Sequence, residues 1–257
     1  MESIQIHDKF SGLKEFTSII PHQFDHLGVI IKDNRNVIKK VTTDEGTFVI
    51  KCFKGMYFFN RLAYSLFRKS KAARSYIYSG ILNERGIDTP PHVSWIDCYS
   101  RGLLTASYFV SVYYPYRTLK EFIEEEDESK KKSLFHHLAA FAKKLHSLEI
   151  YHRDFSVGNI LVIPKDDGYT FAMVDLNRIK FRRVSYKQGL QNFTTLKISS
   201  DDMNLLISEY ALLSNQSPKA FIDLFWINQK RSSLLRIIRK RIRSYTLTPF
   251  ENMLAGK

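Results

Sequence analysis

The feature that most constrains this chain is a change of hydrophobic period between residues 130 and 175. Residues 130–148 have helical spacing, with Leu134, Leu138, Phe141 and Leu145 on one face. Two short apolar runs follow, at 160–163 and 170–174, separated by Pro164, Lys165, Asp166, Asp167 and Gly168, which is turn chemistry. The pattern predicts a β-hairpin embedded in a helical half of the molecule. Asn159 immediately precedes the first strand and Asp175 immediately follows the second. An antiparallel hairpin therefore brings both to one end, where two hard oxygen ligands could share an octahedral cation. His152, Arg153 and Asp154 stand just upstream, between the helix and the hairpin.

The rest of the chain divides around this hairpin. Residues 27–31, 37–41 and 47–53 read as three strands, with turns at Asp33–Asn36 and at Asp44, Glu45 and Gly46. An aromatic-rich stretch, 56–67, comes next and reads as lobe packing. A helix is expected from Ser70 to Glu84, stopped by Gly86 with Pro90 and Pro91 beyond it. Strands follow around 92–96 and 106–113. Helical spacing then covers 119–126, 130–148, 203–213 and 218–226, with a basic loop before the last two and a basic helix at 229–243 closing the chain. The expected architecture is α+β in two lobes. A β-rich lobe over 1–114 meets an α-rich lobe over 115–257 through a linker near 112–118.

Three pieces of sequence belong together chemically: the segment from His152 to Asn159, Asp175 after the hairpin, and Lys51 in the apolar third strand of the other lobe. Phosphoryl transfer from ATP needs this set. An Asp (Asp154) positions the acceptor hydroxyl, an Asn and a second Asp (Asn159, Asp175) hold Mg²⁺ on the phosphates, and a Lys (Lys51) steadies the α- and β-phosphates. His-Arg-Asp with an Asn five residues on, then a hairpin ending in Asp, is the protein-kinase-like signature in order and in context. His152 and Arg153 read as structural supports of the catalytic loop. Ser156 stands where many kinases carry a lysine for the γ-phosphate.

On these residues the chain resembles the lipopolysaccharide kinases, the Kdo and heptose kinases of the Gram-negative envelope. Arg35 to Lys39 resembles the family's early strand, and Val49, Ile50 and Lys51 its ATP lysine. Ser70 to Tyr76 and Gly86 to Pro90 resemble its helix and helix exit. Asp175, Leu176, Asn177, Arg178, Ile179, Lys180 and Phe181 resemble its variant metal motif, and Gln191, Asn192 and Phe193 also fit. The resemblance spans about 29–210. It implies a two-lobed protein-kinase-like fold and ATP-dependent phosphorylation of a sugar hydroxyl. The implied acceptor is Kdo or heptose in the lipopolysaccharide inner core, or another lipid-linked sugar, at the cytoplasmic face of the inner membrane. The chain departs from other kinases in three places. It has no G-x-G-x-x-G and no A-P-E segment, and Ser75, Tyr76 and Ile77 stand where related kinases place the acid that pairs with the strand lysine. That last departure keeps a nucleotide-binding module without turnover as an alternative, beside a kinase for another small molecule or for protein.

Charge narrows the partners. The 257 residues carry a formal net charge of +13, and seven bases with no acid fall between Gln229 and Arg243. Leu234, Leu235, Ile237, Ile238 and Ile242 are interleaved with them. A solvated helix docked on its lobe and a contact with anionic membrane or a lipid-linked phosphosugar both suit this pattern. Nucleic acid is a weaker reading, because no nucleic-acid-binding motif is present. Two cysteines, Cys52 and Cys98, give no disulfide framework. With no signal-peptide pattern at the N-terminus and no bilayer-length apolar run, the sequence predicts a cytoplasmic protein.

Overall fold

In a computed structural model, residues 1–54, 68–125 and 127–254 are described. The aromatic stretch 56–67 lies outside them. The N-terminal lobe is built on one six-stranded antiparallel sheet with strand order β1-β5-β6-β4-β3-β2. Its strands are β1 (Glu2–Ile6), β2 (Val29–Asp33), β3 (Val37–Thr43), β4 (Gly46–Phe53), β5 (His92–Ser100) and β6 (Leu103–Val112). The three expected early strands are all present, but Lys51 lies on the fourth strand, not the third. The added strand is β1, which pairs with β5 from Glu2↔Cys98 to Ile6↔Ser94. Its residues are mostly exposed, so pairing along a sheet edge, more than burial of one face, makes it a strand.

Helix α1 (Lys14–Gln23) covers one face of this sheet. Leu13, Ile20 and Phe24 pack with Phe48, Ile50, Val93, Ile96, Tyr108 and Val110. The buried Lys39 ammonium fixes the end of this helical segment by donating to the carbonyls of Phe24 (2.7 Å), Asp25 (2.8 Å) and Leu27 (3.1 Å). Those are the carbonyls that a finishing helix leaves unsatisfied, and a cation there also suits the helix dipole. On the way to β5 the chain forms α2 (Lys71–Glu84). Ser70 caps α2 by accepting from the Ala73 N–H at 2.9 Å. Gly86 leaves it at φ +67°, a backbone conformation that suits glycine.

The C-terminal lobe is helical around the expected hairpin. It contains α3 (Leu119–Glu125), α4 (Glu128–Ser147), α5 (Tyr186–Phe193), α6 (Ser200–Leu213) and α7 (Pro218–Leu254). The hairpin is β8 (Ile160–Lys165) and β9 (Gly168–Met173), and a second small pair joins β7 (Ile150–His152) to β10 (Ile179–Phe181). Leu134, Phe135, Leu138 and Leu145 of α4 are buried against Phe171, Leu206, Ile207, Tyr210 and Phe225. Each such side chain contributes about 1.5–3 kcal/mol by leaving water. Two expectations are corrected here. The basic loop contains a helix, α5, started by a capping box between Ser185 and Gln188. The helix at 218–226 and the basic segment are one continuous helix of 37 residues. Among the described residues no helix is long and apolar enough to cross a membrane, and both cysteines are unbridged.

Candidate active site

Lys51 reaches the cleft because of strand alternation. Phe48, Ile50 and Cys52 point into the core under α1, so Lys51 and Phe53 face the other way. The Lys51 ammonium lies 5.3 Å from the Phe53 ring centre and 2.6 Å from Asp175 Oδ1. That ion pair joins the sheet lobe to the end of the hairpin. Where related kinases use a helix acid, here the candidate metal-binding Asp holds the lysine. Position 75 is occupied by a buried serine whose hydroxyl donates to the Lys71 carbonyl within its own helix. Burial pushes the Lys51 ammonium below the ordinary lysine value in spite of Asp175. Burial would raise the Asp175 carboxyl, but the Lys51 ammonium outweighs it and holds the group below the usual carboxylate value.

The hairpin does what its sequence implied. Ile160 pairs with Met173, and the Val174 N–H donates to the Asn159 carbonyl at 2.9 Å, so Asn159 and Asp175 flank one end. Asn159 Nδ2 donates to the Asp154 carbonyl at 2.9 Å, which ties the metal-ligand candidate to the catalytic loop. Asp175 sits at φ +58°, a left-handed turn two residues after the end of β9. Asn177 Nδ2 donates to its Oδ1. From there the chain enters β10, whose Ile179 pairs with His152. This pairing carries Arg178 to the catalytic loop, where Nη1 lies 3.2 Å from Asp154 Oδ2. Lys51, Asp154, Asn159 and Asp175 are thus joined directly or through one residue.

A buried chain of side chains supports this cluster. His152 Nδ1 accepts from the Asp154 N–H at 3.1 Å, and Nε2 donates to the Asp175 carbonyl at 3.2 Å. Burial lowers the affinity of His152 for a second proton, consistent with the neutral tautomer these contacts require. Asn192 Nδ2 donates to the His152 carbonyl at 2.7 Å. Asn192 Oδ1 accepts from His146 Nε2 at 3.1 Å, and the Tyr210 hydroxyl donates to His146 Nδ1 at 2.9 Å. Burial pushes His146 down to about 4. A Cβ at Gly189 would lie 2.5 Å from the Tyr210 oxygen and 3.0 Å from His146 Nδ1, so α5 approaches only because it carries glycine there. Sequence reasoning did not find His146, Gly189 or Tyr210. The three lie on three helices, and no local pattern signals their meeting.

The donor set suits a hard cation. Asp175 offers a carboxylate and Asn159 an amide oxygen, the ligand types Mg²⁺ takes when it also binds substrate phosphates. Among the described residues no group of three or more His, Cys, Asp or Glu could hold a metal unaided. Lys71 adds a second ammonium beside Lys51, 5.7 Å from the same Phe53 ring. Burial and the nearby Arg35 and Arg74 lower its proton affinity, and an arriving polyanion would relieve that repulsion. On the other side of Asp154 opens a cavity of about 1030 Å³. Ser156, Gln191 and Lys197 line it, and Gln229 and Ser232 of α7 form another part of its wall.

Six antiparallel strands over a helical lobe, with the lysine, the two aspartates and the asparagine at their junction, define a protein-kinase-like fold. A solved structure described as WaaP in complex with acyl carrier protein matches it with a TM-score of 0.58, covering 90% of this chain and 99% of that one at 14% identity. The model of the lipopolysaccharide kinase (Kdo/WaaP) family matches residues 59–217. The chain belongs to that family. A comparison with curated proteins found no match.

Proposed function

We propose that the protein transfers the γ-phosphoryl group of ATP to a hydroxyl of Kdo or heptose in the lipopolysaccharide inner core, at an anionic membrane surface. The observation that carries this is the direct Lys51–Asp175 pair at 2.6 Å, because it joins the two halves of an ATP site across the lobes. Residues 1–114 then form the nucleotide lobe and 115–257 the catalytic lobe. Asp175 and Asn159 would hold Mg²⁺, which when bound neutralises phosphate charge. Lys51, released from Asp175, holds the α- and β-phosphates. Asp154 orients the acceptor hydroxyl and takes its proton, and the adjoining cavity, walled by hydroxyl and amide side chains, receives the sugar.

Membership in the family supports the acceptor class, and α7 supports the location. Leu234, Leu235, Ile237 and Ile238 are 44–62% exposed on that helix, among the seven bases. The test is incubation of purified protein with Mg²⁺, γ-labelled ATP and core oligosaccharides ending in Kdo or in heptose. Label should pass to one of the two. ATP binding without transfer to any sugar would leave the alternative of a nucleotide-binding module.

A further inference from the structure

We propose that Arg178 is a catalytic residue, the cation that meets the phosphoryl group in flight. The inference rests on the kinase reading above. With Lys51 assigned to the α- and β-phosphates, a cation from the catalytic lobe would add to Mg²⁺ in balancing the negative charge on the transferred group. Ser156, two residues after Asp154, has no charge to supply. Among the described residues Arg178 is the base that contacts the Asp154 carboxylate, at 3.2 Å.

Its backbone is fixed while its side chain is open. Leu176 and Ile179 on either side are 3% and 2% exposed, and the Arg178 carbonyl accepts from the Arg153 N–H at 3.3 Å. The Arg178 side chain is 46% exposed. A guanidinium has five N–H donors in a planar fork, and the Asp154 contact engages one Nη. The remaining donors can take phosphoryl oxygens without Arg178 leaving Asp154, which a lysine ammonium does less well. Arg178 therefore contacts the group that takes the acceptor proton, and its charge adds, after Lys51 and His152, to holding the Asp175 carboxyl low.

In the step itself the acceptor O–H proton passes to Asp154 and its oxygen bonds to the γ-phosphorus. The bond from that phosphorus to the bridging oxygen breaks, and ADP leaves with the electron pair. Arg178 exchanges no proton and forms no bond. It balances the charge spread over the three equatorial oxygens.

The test is calorimetric binding of Mg·ATP, and of Mg·ADP with aluminium fluoride and core oligosaccharide, to wild type, Arg178→Ala and Arg178→Lys. Mg·ATP affinity should stay within about twofold in both variants, while the tightening that aluminium fluoride gives should fall about tenfold or more in Arg178→Ala. The kcat should fall about a hundredfold or more with KM for ATP unchanged, and added guanidinium should restore part of it. Arg178→Lys keeps a charge beside Asp154 and should fall between. Full aluminium fluoride tightening in Arg178→Ala, or a loss of Mg·ATP affinity that accounts for the whole rate defect, would overturn the assignment. Failure of wild type to bind Mg·ATP would instead overturn the kinase reading on which it stands.

Discussion

Removing Asp175 should destabilise the ligand-free protein more than removing the charge of Lys51. At 2.6 Å the gross attraction is about 6 kcal/mol at an effective dielectric of about 20. Desolvation of the ammonium offsets most of that. Side-chain exposures of 11% for Lys51 and 24% for Asp175 leave some solvent screening. The net coupling should be about 1–3 kcal/mol. The single variants should differ because their orphans differ. Asp175→Ala leaves a buried ammonium beside the Phe53 ring, with Lys32 adding repulsion, and should cost about 2–4 kcal/mol. Lys51→Met keeps the aliphatic stem and leaves a carboxylate that Asn177 still serves, costing about 1–2 kcal/mol. The assay is urea unfolding of both variants, the double variant and wild type at neutral pH, without nucleotide. Equal single costs with a coupling below about 0.5 kcal/mol would refute the reasoning and detach Lys51 from Asp175 in solution.

Asp154→Asn should lower turnover by orders of magnitude while Mg·ATP affinity stays within about twofold, since Asp154 acts on the acceptor; this is read by kinetics and calorimetry on the same preparation. His146 has a folded value of about 4 against an ordinary 6.5, so its contribution to stability is complete above pH 6.5 and is lost as pH falls from there to about 4. Burial shifts His152 and His92 the same way, so chemical unfolding at several pH values should show a summed slope. His146 supplies up to about 1.4 kcal/mol per pH unit of it, and His146→Gln should remove that share. Wild type should sediment with vesicles containing phosphatidylglycerol but not with phosphatidylcholine alone. Leu234→Asp with Ile238→Asp should abolish that binding at unchanged Mg·ATP affinity, and sedimentation surviving the double change would remove α7 from the membrane contact.

What the sequence determined by itself is local. The hairpin, its turn, the capped helix after Ser70 and the alternation that turns Lys51 away from the core under α1 each follow from residues within about fifteen positions of one another. So does the placement of Asn159 and Asp175, because an antiparallel pair with one short turn has a single open end. Lys51, Asp154, Asn159 and Asp175 could be singled out for the same reason, and the structure brings them together. Tertiary structure decided what depends on distant segments. The partner of Lys51 lies 124 positions away, and the helix that carries the acid in other kinases gives no hint that Asp175 replaces it. Strand β1 exists because β5 offers an open edge, although its own residues have no buried face. The line from Tyr210 through His146 and Asn192 to His152 joins three helices and strand β7. Each of those polar groups became favourable to bury only once the others were in place, since an unpartnered one would cost about 1–3 kcal/mol. Such mutual satisfaction is a property of the packed lobe, and no stretch of the chain carries it alone.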